Sequence, residues 1–180
     1  MTVDSGTIAH LGKDHGVYYA HRDHPGLIVR ILIDVVDIAV ALVISTSLWS
    51  MMETNGATKE MWAAVMLAVW VVYFIVIKWS VRTVGYWLFR VKLVSLRGKR
   101  APFWAVVVRM VFMFIGPLNY LFDLLWMMSN GSRQALRDQM LGTYVVKTRA
   151  RPAGIGRIVW KNCFLMGYDF VVGEVERPAG

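Results

Sequence analysis

The chain has 180 residues, of which 57% are hydrophobic, and a formal net charge of +8. So apolar a composition is atypical of a soluble domain of this length and indicates a membrane protein with short polar tails. Excess Lys and Arg then mark the cytoplasmic side, and no basic module stands outside the apolar runs, so nucleic-acid binding is not expected. Cys163 is the only cysteine, which excludes an internal disulfide and a cysteine-based zinc site.

The first half of the chain alternates polar and apolar segments. Residues 1–25 predict a polar cytoplasmic arm, and its four histidines fit no tight metal-binding spacing, so no metal is expected there. The apolar runs at 26–50 and 61–79 are each about as long as the 20 residues that cross a bilayer. They predict two transmembrane helices, joined by a loop at 51–60 that contains an Asn-Gly turn signal.

A basic segment follows at residues 80–101, with six Lys or Arg and no acidic residue. Its alternating apolar and basic side chains predict a surface element on the cytoplasmic face, either a short amphipathic helix or a hairpin. Because cytoplasmic loops are rich in Lys and Arg, this segment and the N-terminus are both expected in the cytoplasm.

A third hydrophobic segment at residues 102–128 is interrupted by Gly116-Pro117, where a helix is expected to break. It is too short for two full crossings, which need about 40 residues. We expect a re-entrant hairpin that returns the C-terminus to the cytoplasm, with a kinked single span as the alternative. The predicted fold class is therefore an all-α integral membrane protein: two transmembrane helices, this broken third segment and a cytoplasmic amphipathic element.

Three charged residues, Arg30, Asp34 and Asp37, lie inside the first apolar run. A charge near the centre of a membrane helix costs roughly 2.5–3.5 kcal/mol, so each needs a partner, water or a function. Their spacing of four and seven residues places them on one helical face. Arg109 is the candidate to balance the extra acid, and Asp138 completes a predicted intramembrane polar network. Such a network is either an ion or proton pathway or a structural salt-bridge core.

These residues recur in a pattern that resembles the RDD family of small bacterial membrane proteins, named for one Arg and two Asp. The family's first helix carries an Arg followed seven residues later by an Asp, as Arg30 and Asp37 do here. The remaining matching elements are Thr83-Val84-Gly85-Tyr86, with Tyr where the family has Lys, the turn Arg97-Gly98-Lys99, Arg109, and the stretch from Arg133 through Asp138 and Gly142-Thr143 to Val146. The resemblance covers about residues 26–147, which we take as the membrane domain.

The resemblance implies a protein of the bacterial cytoplasmic (inner) membrane, and transport is often proposed for the family. We expect a small accessory or structural subunit of a larger membrane complex, for example a transport system. The alternative is an oligomeric transporter or cation/proton exchanger that uses the Arg/Asp network. No enzyme motif or cofactor-binding pattern is present in the sequence, so neither catalysis nor a cofactor is expected.

The last segment, residues 148–180, combines a basic linker with an apolar patch from Ile158 to Val172. Such a patch marks an interaction site: it can pack on its own domain, lie on the membrane or dock on a partner. Spacing at four-residue intervals predicts a docking face on one side of a helix, formed by Trp160, Phe164, Leu165 and Tyr168. The expected partners are membrane lipids together with other membrane-protein subunits or further copies of the chain.

Overall fold

The computed structural model describes residue 12, residues 14–114, residue 123 and the ranges 125–127, 134–165 and 168–178. It divides the chain into two compact units. The helical unit comprises Ile28–Arg90, and the mixed unit comprises Met1–Leu27 together with Val91–Gly180. The boundaries predicted near residues 25 and 147 stay a prediction.

The helical unit is built from two long helices and one short helix. Helix α1 covers Leu27–Glu53 and ends in a turn that contains Gly56, whose positive φ of 74° favours glycine. Helix α2 begins at Lys59 behind the N-cap residue Thr58, whose hydroxyl accepts a hydrogen bond from the Met61 backbone N–H.

Helix α2 covers Lys59–Val71 and continues through a π-helical turn at Val72–Ile77 and a last helical turn at Lys78–Ser80. Helix α3, Val84–Leu88, follows after three residues. Among the described residues, one segment is long and apolar enough to cross a membrane, the 30 residues from Lys59 to Leu88. The prediction of two transmembrane helices is therefore wrong by this measure, and the predicted second helix is the one that qualifies.

The mixed unit contains two antiparallel sheets. Strands β1, His15–Tyr18, β4, Gly154–Leu165, and β5, Tyr168–Glu176, form one sheet in the order β1-β4-β5. Strands β2, Val91–Ser95, and β3, Thr143–Lys147, form the other sheet. The prediction of an all-α protein is thus wrong, because strands occupy both the basic segment and the C-terminal patch.

Side-chain composition explains why these segments are strands. The stretch from Ile158 to Val172 is rich in β-branched and aromatic residues, which pack well on a pleated surface, and polar residues interrupt its helical periodicity. The docking face predicted on a helix is therefore wrong in its secondary structure. The basic segment at residues 80–101 contains both helix α3 and strand β2, and β2 pairs with the distant strand β3.

The core of the mixed unit lies where both sheets contribute apolar side chains. Its buried members are Val17, Tyr19, Val94, Leu96, Tyr144, Val146, Ala150 and Val175. Strand β1, which supplies Val17, forms within the polar arm predicted for residues 1–25. This unit also contains helix α4, Phe103–Phe114, and the short helix α5, Leu136–Met140. The predicted break at Gly116-Pro117, and with it the choice between a hairpin and a kinked span, lies outside the described residues.

Candidate functional site

The Asp37 carboxylate lies in the helical unit and is fully buried, with 0% of the residue exposed. Its Oδ1 accepts hydrogen bonds from the Tyr73 hydroxyl at 3.1 Å and from the Gly85 backbone N–H at 2.7 Å. Its Oδ2 accepts a hydrogen bond from the Thr83 hydroxyl at 2.6 Å. Three neutral donors from two segments of the chain therefore surround one buried carboxylate, and both of its oxygens have hydrogen-bond partners.

Asp37 also caps helix α3 from a different helix. Thr83 occupies the N-cap position of α3, but its hydroxyl donates to Asp37 and does not cap its own helix. The first N–H groups of a helix need acceptors, and the Asp37 carboxylate supplies one for Gly85. A Cβ at Gly85 would lie 2.6 Å from the Ile33 carbonyl oxygen and 2.8 Å from Asp37 Oδ1, so the close approach requires glycine.

The π-helical turn in α2 supplies the third donor. Tyr73 is buried in this turn, and its hydroxyl oxygen also accepts a hydrogen bond from the Val84 backbone N–H at 3.2 Å. One phenol thus joins α2 to both Asp37 and the start of α3. Single π-helical turns occur frequently at functional sites, which makes this local departure from α-helix informative.

A cation lies close to the same region. Lys78 Nζ sits 4.8 Å from the centre of the Tyr86 ring and 5.8 Å from the centre of the Phe74 ring, both within cation–π range. Tyr86 is the position where the family pattern has Lys. In this chain the aromatic ring at that position therefore contacts a lysine that the preceding helix supplies.

Arg30 and Asp34, the other two charged residues of the first run, are also buried on α1. Each of them interacts with other groups. The larger network that was predicted to join Arg30, Asp34 and Asp37 to Arg109 and Asp138 stays a prediction.

The second group of buried polar residues lies in the mixed unit. Arg109, on helix α4, forms an ion pair with Asp138, on helix α5, and both residues are buried. Arg109 Nη1 also lies 3.4 Å from the Thr143 hydroxyl, which in turn lies 3.4 Å from the Asp138 carbonyl oxygen. The Thr143 carbonyl accepts a hydrogen bond from the Gln134 side-chain amide at 3.1 Å. These contacts join α4, α5 and the start of β3.

A second ion pair lies beside the first one along the chain. Arg137 Nε lies 2.8 Å from Asp123 Oδ2, although its N–H is not aligned for a hydrogen bond. The Arg137 backbone N–H donates a hydrogen bond to Asp123 Oδ1 at 2.9 Å. With Arg109 and Asp138, the described group contains two cations and two carboxylates, so its formal charge is zero.

The structure places the predicted site residues as follows. It pairs Arg109 with Asp138. It also surrounds Asp37 with donors that do not belong to the predicted network of Arg and Asp residues. Thr83 and Gly85 were visible only as part of the family-like motif, and Tyr73 had no signal because an isolated tyrosine in an apolar run resembles an interface anchor. In the described part of the chain, no group of three or more His, Cys, Asp or Glu residues could hold a metal ion.

The predicted docking residues lie on the β4–β5 hairpin. Trp160 is 54% exposed and Phe164 is 71% exposed. The backbones of Leu165 and Tyr168 belong to β4 and β5, and their side chains lie outside the described structure.

One apolar segment of the described residues is long enough to cross a bilayer, and several Asp and Arg side chains are buried, which is compatible with a small membrane-associated protein. The sequence profile of the RDD family matches residues 24–142, which is more than half of the chain. The chain therefore belongs to the RDD family, and the resemblance noted from its motifs is confirmed. No curated protein sequence and no solved structure matches the chain.

Proposed function

We propose that the protein is a small accessory or structural subunit of a larger membrane complex of the bacterial cytoplasmic membrane. The observation that supports this proposal is the apolar face of the β4–β5 hairpin. The family match ends at residue 142, so the hairpin lies outside it.

The outer part of the hairpin has only two strands. Strand β1 pairs with β4 at residues 154–157, and beyond that point the described partner of β4 is β5 alone. A two-stranded hairpin is marginally stable in water and gains stability by packing against another surface. The outer hairpin, residues 159–165 and 168–174, is therefore suited to contact a partner.

The two faces of the outer hairpin differ. Trp160 and Phe164 share a face with Val171, which is 54% exposed, because Val171 is the register partner of Asn162. That face also carries the exposed polar residues Asn162 and Asp169. The opposite face carries Lys161, which pairs with Glu176 at 3.2 Å beyond the outer hairpin, and the buried Val172. Exposed aromatic and aliphatic side chains with polar neighbours indicate a protein contact.

Native mass spectrometry of gently solubilised protein tests the proposal. We expect the chain to travel with other polypeptides, and the double variant Phe164→Ser with Val171→Thr to lower the bound fraction about tenfold or more, as truncation of a central apolar contact does. Lys161→Gln, on the opposite face, is the matched control and should leave the bound fraction unchanged. Observation of the chain alone, or of copies of this chain alone, would contradict the subunit proposal.

The alternative, an oligomeric cation or proton exchanger, is favoured by one observation, the two hydroxyl groups on the buried Asp37 carboxylate. Oxygen-rich, desolvated carboxylates are typical of ion and proton pathways in membranes. The three hydrogen bonds to Asp37 also fit a structural role, which is why we place this alternative second. Proton and cation flux into vesicles that contain the purified protein tests it, since a folded Asp37→Asn variant should abolish the flux.

We further propose that the basic segment at residues 80–101 faces the cytoplasm, and that Thr54, which precedes the one candidate span among the described residues, lies on the opposite side of the membrane. Single cysteines at Thr54 and Ser95, in a Cys163→Ala background, report the two sides. A membrane-impermeant maleimide added to intact cells should label position 54, whereas position 95 should react only after the membrane is opened. Labelling of both positions in intact cells would contradict the proposed orientation.

A further inference from the structure

Helix α4 has one face that the mixed unit buries and one that it leaves exposed. Ala105 and Val106 are fully buried beside the buried Arg109. On the other side, Trp104 and Val111 are 56% and 52% exposed, and Val108 between them is also exposed. The positions 104, 108 and 111 follow the spacing of one helical face, so the exposed residues form a continuous apolar strip.

Helix α4 is described as far as Phe114. Within that range, the exposed strip of Trp104, Val108 and Val111 carries no charged side chain. An apolar strip on a helix of a membrane-associated protein fits the boundary between headgroups and acyl chains, where apolar side chains enter the acyl region and polar ones stay outside.

A basic turn directly before α4 adds a second, independent feature. Arg97, Lys99 and Arg100 are all exposed. The turn is fixed by a hydrogen bond from the Ser95 N–H to the Lys99 carbonyl at 2.8 Å and by Gly98, whose φ is 72°. Three cations held next to an apolar strip complement an anionic lipid surface, where each contributes about fivefold to binding.

A cleft connects the basic turn to the apolar strip. Its volume is about 290 Å³, and its lining includes Arg97, Ser95 and the rings of Trp104 and Trp160, with Asp14 as the one acidic side chain among the lining residues. Tryptophan is enriched at the membrane interface because its ring is apolar and its N–H is polar. Arginine is well suited to bind phosphate, which is the group that phospholipid headgroups present.

We propose that α4 is an interfacial anchor. Its Trp104–Val108–Val111 strip lies on the acyl chains of an anionic leaflet, and the turn at residues 97–100 contacts the phosphates. This inference depends on membrane association and not on the subunit proposal, because it concerns helix α4 and the basic turn, although Trp160 lines the cleft and also belongs to the Phe164–Val171 face.

Depth-dependent fluorescence quenching tests the anchor in the full chain. A cysteine at Val108, in the Cys163→Ala background, carries an environment-sensitive dye, and the protein is placed in phosphatidylcholine nanodiscs with or without phosphatidylglycerol. Spin-labelled lipid should quench the dye at position 108 strongly, and aqueous iodide should quench it weakly. A dye at Lys161, on the opposite face of the hairpin from Trp160, is the control and should show the reverse pattern.

Charge removal completes the test. Arg97→Gln with Lys99→Gln and Arg100→Gln should weaken lipid quenching at position 108 in the phosphatidylglycerol discs, as should high salt, which screens surface charges. Strong iodide quenching at position 108 would overturn the anchor, because the strip would then face water. Protection from both quenchers would also overturn it, because a protein surface would then cover the strip. Lipid quenching at position 108 that is unchanged by both the charge-removal variant and high salt would overturn the proposed contact with anionic lipid.

Discussion

The helical unit and the mixed unit bury carboxylates in different ways. In the helical unit, the Asp37 carboxylate accepts hydrogen bonds from two hydroxyls and one backbone N–H, all of them neutral. In the mixed unit, Asp138 and Asp123 each face a guanidinium, from Arg109 and Arg137. The difference indicates that preorganised dipoles and full counter-charges are both used to bury acids within one small chain.

This difference has consequences for substitution. A buried ion pair is costly to break because the remaining partner is left as an uncompensated charge, whereas removal of both partners is tolerated better. When a carboxylate held by neutral donors is replaced, only those donors are left without an acceptor. Each unsatisfied donor costs less free energy than an unpaired buried charge. The two units should therefore differ in the size of the effect and in whether a second substitution restores stability.

The largest expected effect is at the Arg109–Asp138 pair. Arg109→Met should lower the free energy of unfolding by about 3–5 kcal/mol, because Asp138 then stays buried without its counter-charge. Chemical denaturation of the protein in detergent measures this change. The double variant Arg109→Met with Asp138→Leu should lose less than the single variant.

The exposed pair of Lys161 with Glu176 provides the control for charge removal. Lys161→Gln should change the free energy of unfolding by about 0–1 kcal/mol, since solvent and side-chain entropy weaken exposed pairs. A single Arg109 variant no less stable than the Lys161 variant would show that the buried pair does not hold α4 to α5.

A smaller loss is expected at Asp37. Asp37→Asn keeps the shape but replaces one acceptor oxygen by an NH₂ group that faces a donor, which should cost about 1–3 kcal/mol. Thermal unfolding in detergent measures it. Addition of Arg30→Leu should not restore stability if neutral donors hold Asp37. A clear recovery in that double variant would contradict this interpretation and support the Arg30–Asp37 pair predicted from the sequence.

The sequence predicted the buried polar residues better than their partners. Helical spacing placed Arg30, Asp34 and Asp37 on one face, and the structure buries all three. The Asp37 partners could not be predicted because Thr83 and Gly85 lie 46 and 48 residues away along the chain. Such contacts depend on tertiary packing, which a local pattern does not contain.

The strands were missed for a different physical reason. In the C-terminal patch, positions 160, 164 and 168 are consistent with a helix period, but the same even spacing places Trp160 and Phe164 on one face of strand β4, while Tyr168 lies on β5 as the register partner of Leu165. Length and apolar content therefore left helix and strand unresolved, and β-branched composition was the better guide. Likewise, Val17 gave no sign of a core strand because it stands in a mostly polar arm.

Gly85 offers a more local way to perturb the Asp37 group. Gly85→Ala places a Cβ 2.6 Å from the Ile33 carbonyl oxygen, so α1 and α3 must move apart. We expect a loss of about 1–3 kcal/mol, typical of overpacking, and a lower melting temperature. Gly26→Ala is the control, because a Cβ there has no neighbour within 4 Å. Equal melting temperatures for the two variants would show that the close approach at Gly85 does not limit stability.

The smallest expected effect isolates burial from ion pairing. Tyr19 lies in the core of the mixed unit, 5.7 Å from the Tyr144 ring, and burial, with a smaller contribution from Asp23, raises the pKa of its phenol to about 12. In the unfolded chain this pKa is about 10. Because the folded pKa is the higher one, the stabilisation is fully present below pH about 10 and is lost as the pH rises towards 12.

Absorbance of the tyrosinate ion during an alkaline titration measures this shift. The wild-type protein should show a late component that Tyr19→Phe reduces, since burial also raises the pKa of Tyr144, which supplies part of it. Denatured protein should titrate all its tyrosines near the ordinary pKa. The contribution of Tyr19 to the free energy of unfolding should be constant with pH in the neutral range and should fall at alkaline pH. A Tyr19 phenol that ionises at its ordinary pKa in folded protein would show that water reaches the core, and burial would then be a weaker force in this unit than the ion pairs.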